Sequence, residues 1–299
     1  MRRPESVGAV IAGLQAHHYL AGPALGTAVF LSLKLERPLF LEGEPGVGKT
    51  ALAQALAQML HVPLIRLQCY EGIDRESALY EWNYPRQLLH IRLRELSGED
   101  PQFTEQSLYR EEFLLKRPLY EAIRPEGDPP VLLIDEIDRS DDEFEAFLLE
   151  VLSEFQISIP EIGTLKATQR PVVILTSNRT RDVHDALKRR CLYQWLDYPS
   201  YAREREILRE RMPQMDPSLS TQIVHFVQNL RQRPLEKVPG LAETLDWAAA
   251  LEALGVLALS EQVVEQTLGC VLKYRDDIMS MAAPEVVSQI LGEIAAGGG

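Results

Sequence analysis

The run Gly43-Glu44-Pro45-Gly46-Val47-Gly48-Lys49-Thr50 concentrates the groups needed to hold a polyphosphate. It fits the spacing G-x-x-x-x-G-K-[ST], in which glycines let backbone N–H groups converge on phosphate oxygens without a Cβ in the way. Lys49 would reach the β- and γ-phosphates, and the Thr50 hydroxyl would bind Mg²⁺. With Ala51, where a helix is expected to continue, these residues make up the nucleotide-binding set. Such a site needs a carboxylate on its metal side. Leu132-Leu133-Ile134-Asp135-Glu136 is an apolar strand that ends in two acids. Asp135 would hold the magnesium through its water shell, and Glu136 would orient and polarise the attacking water. Acids at a strand end can also cap a following helix, a role that suits Asp138 and Asp141 better. Another apolar run ends in Thr176-Ser177-Asn178, where Asn178 could position the same water or the γ-phosphate.

These groups can act together only if the elements that carry them lie side by side. As far as residue 199 the sequence alternates short apolar runs with amphipathic segments, the pattern of a parallel sheet covered on both faces. Strands are expected at 38–41, 63–67, 131–134 and 172–175, with a fifth at 194–196. A helix over 51–60 leads out of the phosphate loop. Phe144, Phe147, Leu148, Val151, Leu152 and Phe155 recur at helical spacing, with Ser140 or Asp141 as N-cap. After Tyr198-Pro199-Ser200 the β-rich runs stop, and helix-length patterns follow, broken at Pro213, Pro217, Pro234, Gly240 and Pro284. The expected division is an α/β nucleotide-binding domain over 1–199 and a smaller α-helical domain over 200–299, with Gly297-Gly298-Gly299 fraying.

Composition narrows the choice of partner. The chain has 299 residues and a formal charge of −13, which argues against nucleic acid as the main partner, because phosphate backbones require a broad basic face. Cys69, Cys191 and Cys270 are far apart with no CxxC spacing, so neither a disulfide framework nor a zinc site is indicated. Met1-Arg2-Arg3-Pro4 leads into amphipathic sequence and does not read as a signal peptide, and no stretch approaches the ~20 apolar residues of a membrane span. The expectation is a cytoplasmic protein. Trp82, Trp195 and Trp247 read as packing anchors.

In their order along the chain, Gly43–Thr50, Leu132–Glu136 and Asn178 resemble the Walker A, Walker B and sensor-1 elements of the AAA+ ATPases. The resemblance implies a P-loop AAA+ core with a parallel five-stranded sheet flanked by helices, followed by a small all-α lid domain. His17-His18-Tyr19-Leu20 then falls where that family's adenine pocket begins. More narrowly, residues 69–74 and 80–87 are similar to MoxR-type members of the CoxD-like group, encoded with carbon monoxide dehydrogenase maturation genes. On that resemblance, residues 70–125 correspond to a helix-2-type insertion. Residues 156–168 correspond to a pre-sensor-1 hairpin facing a ring's pore, and its turn is expected near Gly163. Lys188-Arg189-Arg190 matches the arginine-finger position; Arg190 is the better match and Arg189 the alternate, reaching the γ-phosphate of a neighbouring subunit. Many relatives carry a sensor-2 arginine where this chain reads Val238-Pro239-Gly240-Leu241-Ala242-Glu243-Thr244. Arg231, Arg233 and Lys237 are the available substitutes.

The resemblance implies ATP and Mg²⁺ as cofactors and a homo-oligomer, a hexamer, as the working form. It also implies a partner with a von Willebrand factor A domain and a client metalloenzyme, such as a molybdenum-containing carbon monoxide dehydrogenase. The expected function is that of an ATP-hydrolysing remodelling chaperone. The alternatives are a nucleotide-gated scaffold with negligible hydrolysis and a nucleic-acid-stimulated motor, which the acidic charge disfavours.

Overall fold

A computed structural model describes residues 3–97 and 108–297 of the chain. The expected fraying of Gly298 and Gly299, and the part of the expected insertion at 98–107, lie outside the described residues. Helices α1 (Val7–Gln15) and α2 (Pro23–Leu35) precede β1 (Leu39–Gly43). Then come α3 (Lys49–Leu60), β2 (Leu64–Gln68), α4 (Arg75–Ala78), β3 (Tyr80–Trp82) and α5 (Tyr84–Ser97). They are followed by β4 (Leu114–Lys116), α6 (Pro118–Ile123), β5 (Val131–Asp135), α7 (Asp142–Glu154), β6 (Gln156–Ile159) and β7 (Gly163–Lys166). Next are β8 (Val172–Ser177), α8 (Asp185–Arg190) and β9 (Leu192–Leu196). The rest is helical: α9 (Tyr201–Arg211), α10 (Pro217–Arg231), α11 (Leu241–Ala253), α12 (Glu261–Val271), α13 (Arg275–Met281) and α14 (Pro284–Gly297).

β1, β5 and β8 are buried at every position, which is why they read as unbroken apolar runs rather than alternating ones. They form a five-stranded sheet in the order β2-β5-β8-β1-β9, with parallel pairing of β2 to β5, β5 to β8 and β8 to β1. The register decides what meets at the carboxyl ends. Gln68 lies opposite Asp135, Ile134 opposite Leu175, and Leu41 opposite Thr176. Polar residues that follow apolar runs on separate strands therefore arrive at one crest, where open parallel sheets bind ligands.

Asp141 caps α7 by accepting from the Phe144 N–H at 2.8 Å. Asp138 does not cap a helix; it holds the loop after β8, as described below. Phe155 ends the helix in the left-handed region at φ 52°, yet stays buried. The turn of the β6–β7 hairpin runs into Gly163 at φ +101°, a conformation that favours glycine. Between β2 and β5 the chain makes an antiparallel ladder, Tyr80 to Lys116 and Trp82 to Leu114, with α5 between its strands.

The chain divides into two units. One comprises Met1–His17, Ala21–Glu42 and Thr50–Trp195; the other comprises His18–Leu20, Gly43–Lys49 and Leu196–Gly299. The core of the first includes Phe40, Leu79, Phe113, Tyr120, Ile134 and Leu175. That of the second includes Phe226, Leu230, Trp247, Leu251 and Leu268, and the Trp247 indole donates to Thr267 Oγ1 at 2.8 Å.

A buried carboxylate ties three helices of the second unit together. Glu204 on α9 is fully buried and accepts from Arg231 Nη1 at 2.6 Å and Nη2 at 2.7 Å at the end of α10. It also accepts from Thr244 Oγ1 on α11 at 2.7 Å. Arg231 donates in addition to the Pro239 carbonyl at 2.8 Å, and its guanidinium lies 5.0 Å from the centre of the Tyr198 ring. An ionised group in this position is stable only while its partner remains. Arg231→Met should lower unfolding stability in a urea titration by about 3–5 kcal/mol. Adding Glu204→Leu should recover much of that loss, because no unpaired charge is then left inside.

Candidate nucleotide site

The centre of the sheet's crest is Asp135, 2% exposed. Its Oδ1 accepts from Thr176 Oγ1 on β8 at 2.5 Å and from Thr50 Oγ1 on α3 at 3.2 Å. Its Oδ2 accepts from Arg66 on β2, at 3.0 Å from Nε and 2.5 Å from Nη2. The same Thr176 oxygen accepts from the Glu136 backbone N–H at 2.9 Å, so one hydroxyl fixes both acids. Glu136 turns out of the strand in the left-handed region at φ 55°, a conformation that costs a non-glycine residue about 1–2 kcal/mol. Two donors and an ion pair hold its carboxylate: Asn178 Nδ2 donates to Oε1 at 3.2 Å and Gln68 Nε2 to Oε2 at 3.1 Å, and Arg139 Nε lies 2.9 Å from Oε2.

Thr50, Asp135, Glu136 and Asn178, picked from separate stretches of sequence, are thus joined by direct hydrogen bonds or through Thr176. The Thr50 hydroxyl and the Asp135 carboxylate bring two hard oxygen donors within 3.2 Å of one another, donor chemistry that fits Mg²⁺. Among the described residues there is no cluster of three or more His, Cys, Asp or Glu that could hold a metal by itself.

The loop leading into Thr50 is shaped by its own contacts. The Lys49 ammonium donates to the carbonyls of Gly43 and Glu44, each at 2.7 Å. Gly46, at φ +74°, passes so close to α11 that a Cβ would sit 3.0 Å from Glu243 Oε2 and 3.3 Å from Gly240 Cα. Gly43 faces the Leu196 carbonyl, and a Cβ there would be 2.1 Å from its oxygen. The Ala242 N–H donates to the Gly46 carbonyl at 3.1 Å, and Glu243 Oε2 accepts from the Gly240 N–H at 2.9 Å. Gly240–Glu243, within the Val238–Thr244 stretch without an arginine, therefore lies against the loop's backbone. Arg231 is committed to Glu204, and Arg233 donates to Asn229 Oδ1 at 3.0 Å. Val47 is buried, Glu44 exposed, and Ala51 lies in the first turn of α3. Tyr19 is buried with its ring beside Gly48, and burial pushes its hydroxyl pKa up.

Two further buried carboxylates fix the chain between Asn178 and α8. Asp138 accepts from the N–H groups of Asn178 at 3.2 Å and Thr180 at 2.9 Å, and from the Thr180 hydroxyl at 2.7 Å. Glu145 on α7 pairs with Arg181 and accepts from the His184 N–H at 2.7 Å. Arg189 and Arg190 end α8 and are exposed. Arg37 donates to the carbonyls of Arg189 at 2.9 Å, Arg190 at 3.3 Å and Cys191 at 3.2 Å, completing the open end of that helix. Lys188 lies 3.6 Å from the buried Glu42, whose other oxygen accepts from the Tyr193 hydroxyl at 2.8 Å. The sequence reading missed Arg66, Gln68 and Arg139. The available signal was the pair of polar residues two apart in an otherwise apolar strand, which must share a face.

Residues 39–195 match the sequence profile described as "ATPase family associated with various cellular activities (AAA)". An uncharacterized protein of Staphylococcus epidermidis is 25% identical over 242 residues, covering 79% of this chain and 84% of the relative. One from Staphylococcus aureus is 28% identical over 203 residues, covering 66% and 69%. Among solved structures, a Thermotoga maritima RuvB, described as a Holliday junction branch migration motor, superposes with a TM-score of 0.46 at 16% identity. It covers 89% of this chain and 72% of that one.

Burial pushes the Cys69 thiol up to about 12, and the neighbouring Asp135, Asp138 and Glu136 charges add to the effect. Burial likewise takes Cys191 to about 12, against a smaller lowering by Arg37. Both are neutral thiols at pH 8, and the thiolate is the reactive form. Iodoacetamide at pH 8 should label the half-buried Cys270 first, and Cys69 and Cys191 at least about a thousandfold more slowly than an open thiol, as followed by peptide mass spectrometry.

Proposed function

Because the chain belongs to the ATPase family associated with various cellular activities, we propose that it binds ATP and Mg²⁺ at Gly43–Thr50 and hydrolyses the nucleotide to remodel a partner protein. The observation that carries this reading is the pair of bonds from Thr50 and Thr176 to the buried Asp135, with Glu136 and Asn178 joined directly beside it. Backbone N–H groups of the glycine loop and the first turn of α3 receive the phosphates, and Lys49 offsets their charge. Thr50 and Asp135 hold the metal, which, when bound, neutralises charge on the phosphate oxygens. Glu136 orients a water and accepts its proton as the water oxygen adds to the γ-phosphorus and the bond to ADP breaks. Asn178 keeps that carboxylate and the water in line.

Arg190, with Arg189 as alternate, projects from an exposed and backbone-capped helix end. That placement suits a finger acting on the neighbouring copy's nucleotide, and so a ring, for which we propose a hexamer. The finer reading is a MoxR-type chaperone of the cytoplasm that works with a von Willebrand factor A domain protein. Its client would be a metalloenzyme, for instance a molybdenum-containing carbon monoxide dehydrogenase. What supports it is the resemblance of residues 69–74 and 80–87.

Phosphate release by the concentrated protein should exceed that of Lys49→Ala. An equal rate would replace the motor with a nucleotide-gated scaffold. Glu136→Gln should keep ATP affinity within about twofold and lower turnover by at least about a hundredfold; unaltered turnover removes Glu136 from its role. Arg190→Ala should be inactive alone yet regain activity when mixed into rings with Lys49→Ala, since one supplies the pocket and the other the finger. No recovery in rings shown to be mixed contradicts action across subunits.

A further inference from the structure

Arg66 on β2 is unaccounted for by the reaction just described, yet it lies 2.5 Å from the metal-side carboxylate of Asp135. We propose that Arg66 is a built-in cation for Asp135: its guanidinium occupies the carboxylate until nucleotide and Mg²⁺ are loaded. The inference rests on the nucleotide-site reading and assigns that site an internal competitor.

The geometry has three parts. Arg66 and Gln68 alternate on β2 and share a face. Arg66 places Nε and Nη2 at 3.0 and 2.5 Å from Asp135 Oδ2, while Thr176 and Thr50 take Oδ1, so both oxygens are engaged. The Nη2 group also donates to Gln68 Oε1, and Gln68 Nε2 donates to Glu136 Oε2 at 3.1 Å. One unbroken chain of hydrogen bonds thus runs from Asp135 through Arg66 and Gln68 to Glu136.

The two ends of the ion pair are unequal. The Asp135 side chain is 3% exposed and fixed by two hydroxyls, whereas that of Arg66 is 52% exposed at the edge strand of the sheet. When a divalent cation and a guanidinium compete for one carboxylate, the group with a path to water is the one that leaves. Departure of Arg66 then leaves Asp135 Oδ2 open on the metal side.

The test measures binding. Kd for a fluorescent ATP analogue is determined with Mg²⁺ and with EDTA, in the full chain and in Arg66→Met and Arg66→Lys, beside thermal melts. Arg66→Met should leave the EDTA value within about twofold and enlarge the gain from Mg²⁺ by about tenfold. Arg66→Lys, which keeps the charge without the planar fork, should fall between. If Arg66 is only a brace for β2, affinity falls equally in both buffers and melting drops, which overturns the proposal. An unchanged Mg²⁺ gain overturns it as well. Should Arg66→Met fail to fold, a wild-type Mg²⁺ gain in Arg66→Lys does the same. Wild-type protein that binds no better than Lys49→Ala removes the nucleotide site itself, an outcome distinct from an intact site with an unaltered Mg²⁺ gain.

Discussion

A carboxylate only 2% exposed needs hydrogen-bond donors around it, and Asp135 draws them from three directions. Thr50 comes from α3, Thr176 from β8 and Arg66 from β2. Those donors can converge only if β5 lies between β2 and β8, in a register that levels Gln68, Asp135 and Thr176. The parallel sheet, its strand order and its burial on both faces follow from keeping this one charge satisfied at a crest that must also be open to a ligand.

The same device recurs away from the crest. Asp138 gathers the backbone after β8, Glu145 pins Arg181 and His184, and Glu204 binds three helices. Asp277, also buried, receives the N–H groups of Glu236 at 2.9 Å and Lys237 at 3.2 Å. Part of the acid excess of a chain with formal charge −13 thus lies inside, where each carboxylate organises a loop or a helix junction instead of adding to a repulsive surface. Loops held this way keep the residues after Asn178 in place alongside the core contacts of Val183 and Leu187.

Much of this was legible in the sequence wherever the signal is local. The glycine loop shows itself by spacing, and β5 and β8 by runs that only full burial explains. Asp141 was recognisable as a cap from the helix that follows it. The reading stopped at Leu67 for β2 and so left out Gln68, one residue further, which closes the hydrogen-bond chain to Glu136. Asp138 looked like a cap because it follows a strand and precedes a helix; its partners, Asn178 and Thr180, lie on another strand's far end. Arg231 stood open as a possible nucleotide contact until the fold brought Glu204 to it. The pairing of β3 with β4 was equally invisible, since the partners are joined only through the long stretch between them. Apart from Arg139, which pairs with Glu136 three residues away, these are contacts between distant parts of the chain, whose partners the local pattern does not name.

The hold that Lys49 keeps on the carbonyls of Gly43 and Glu44, with the Ala242 bond to Gly46, bears on the kinetics of capture. A flexible glycine-rich segment would have to freeze several torsions whenever a ligand arrived, and that ordering would weaken affinity and slow the productive encounter. Here the bends are already set by the chain itself, so an incoming anion meets a preformed cradle. Association should then be governed by diffusion and charge, and residence time by the strength of the grip once closed.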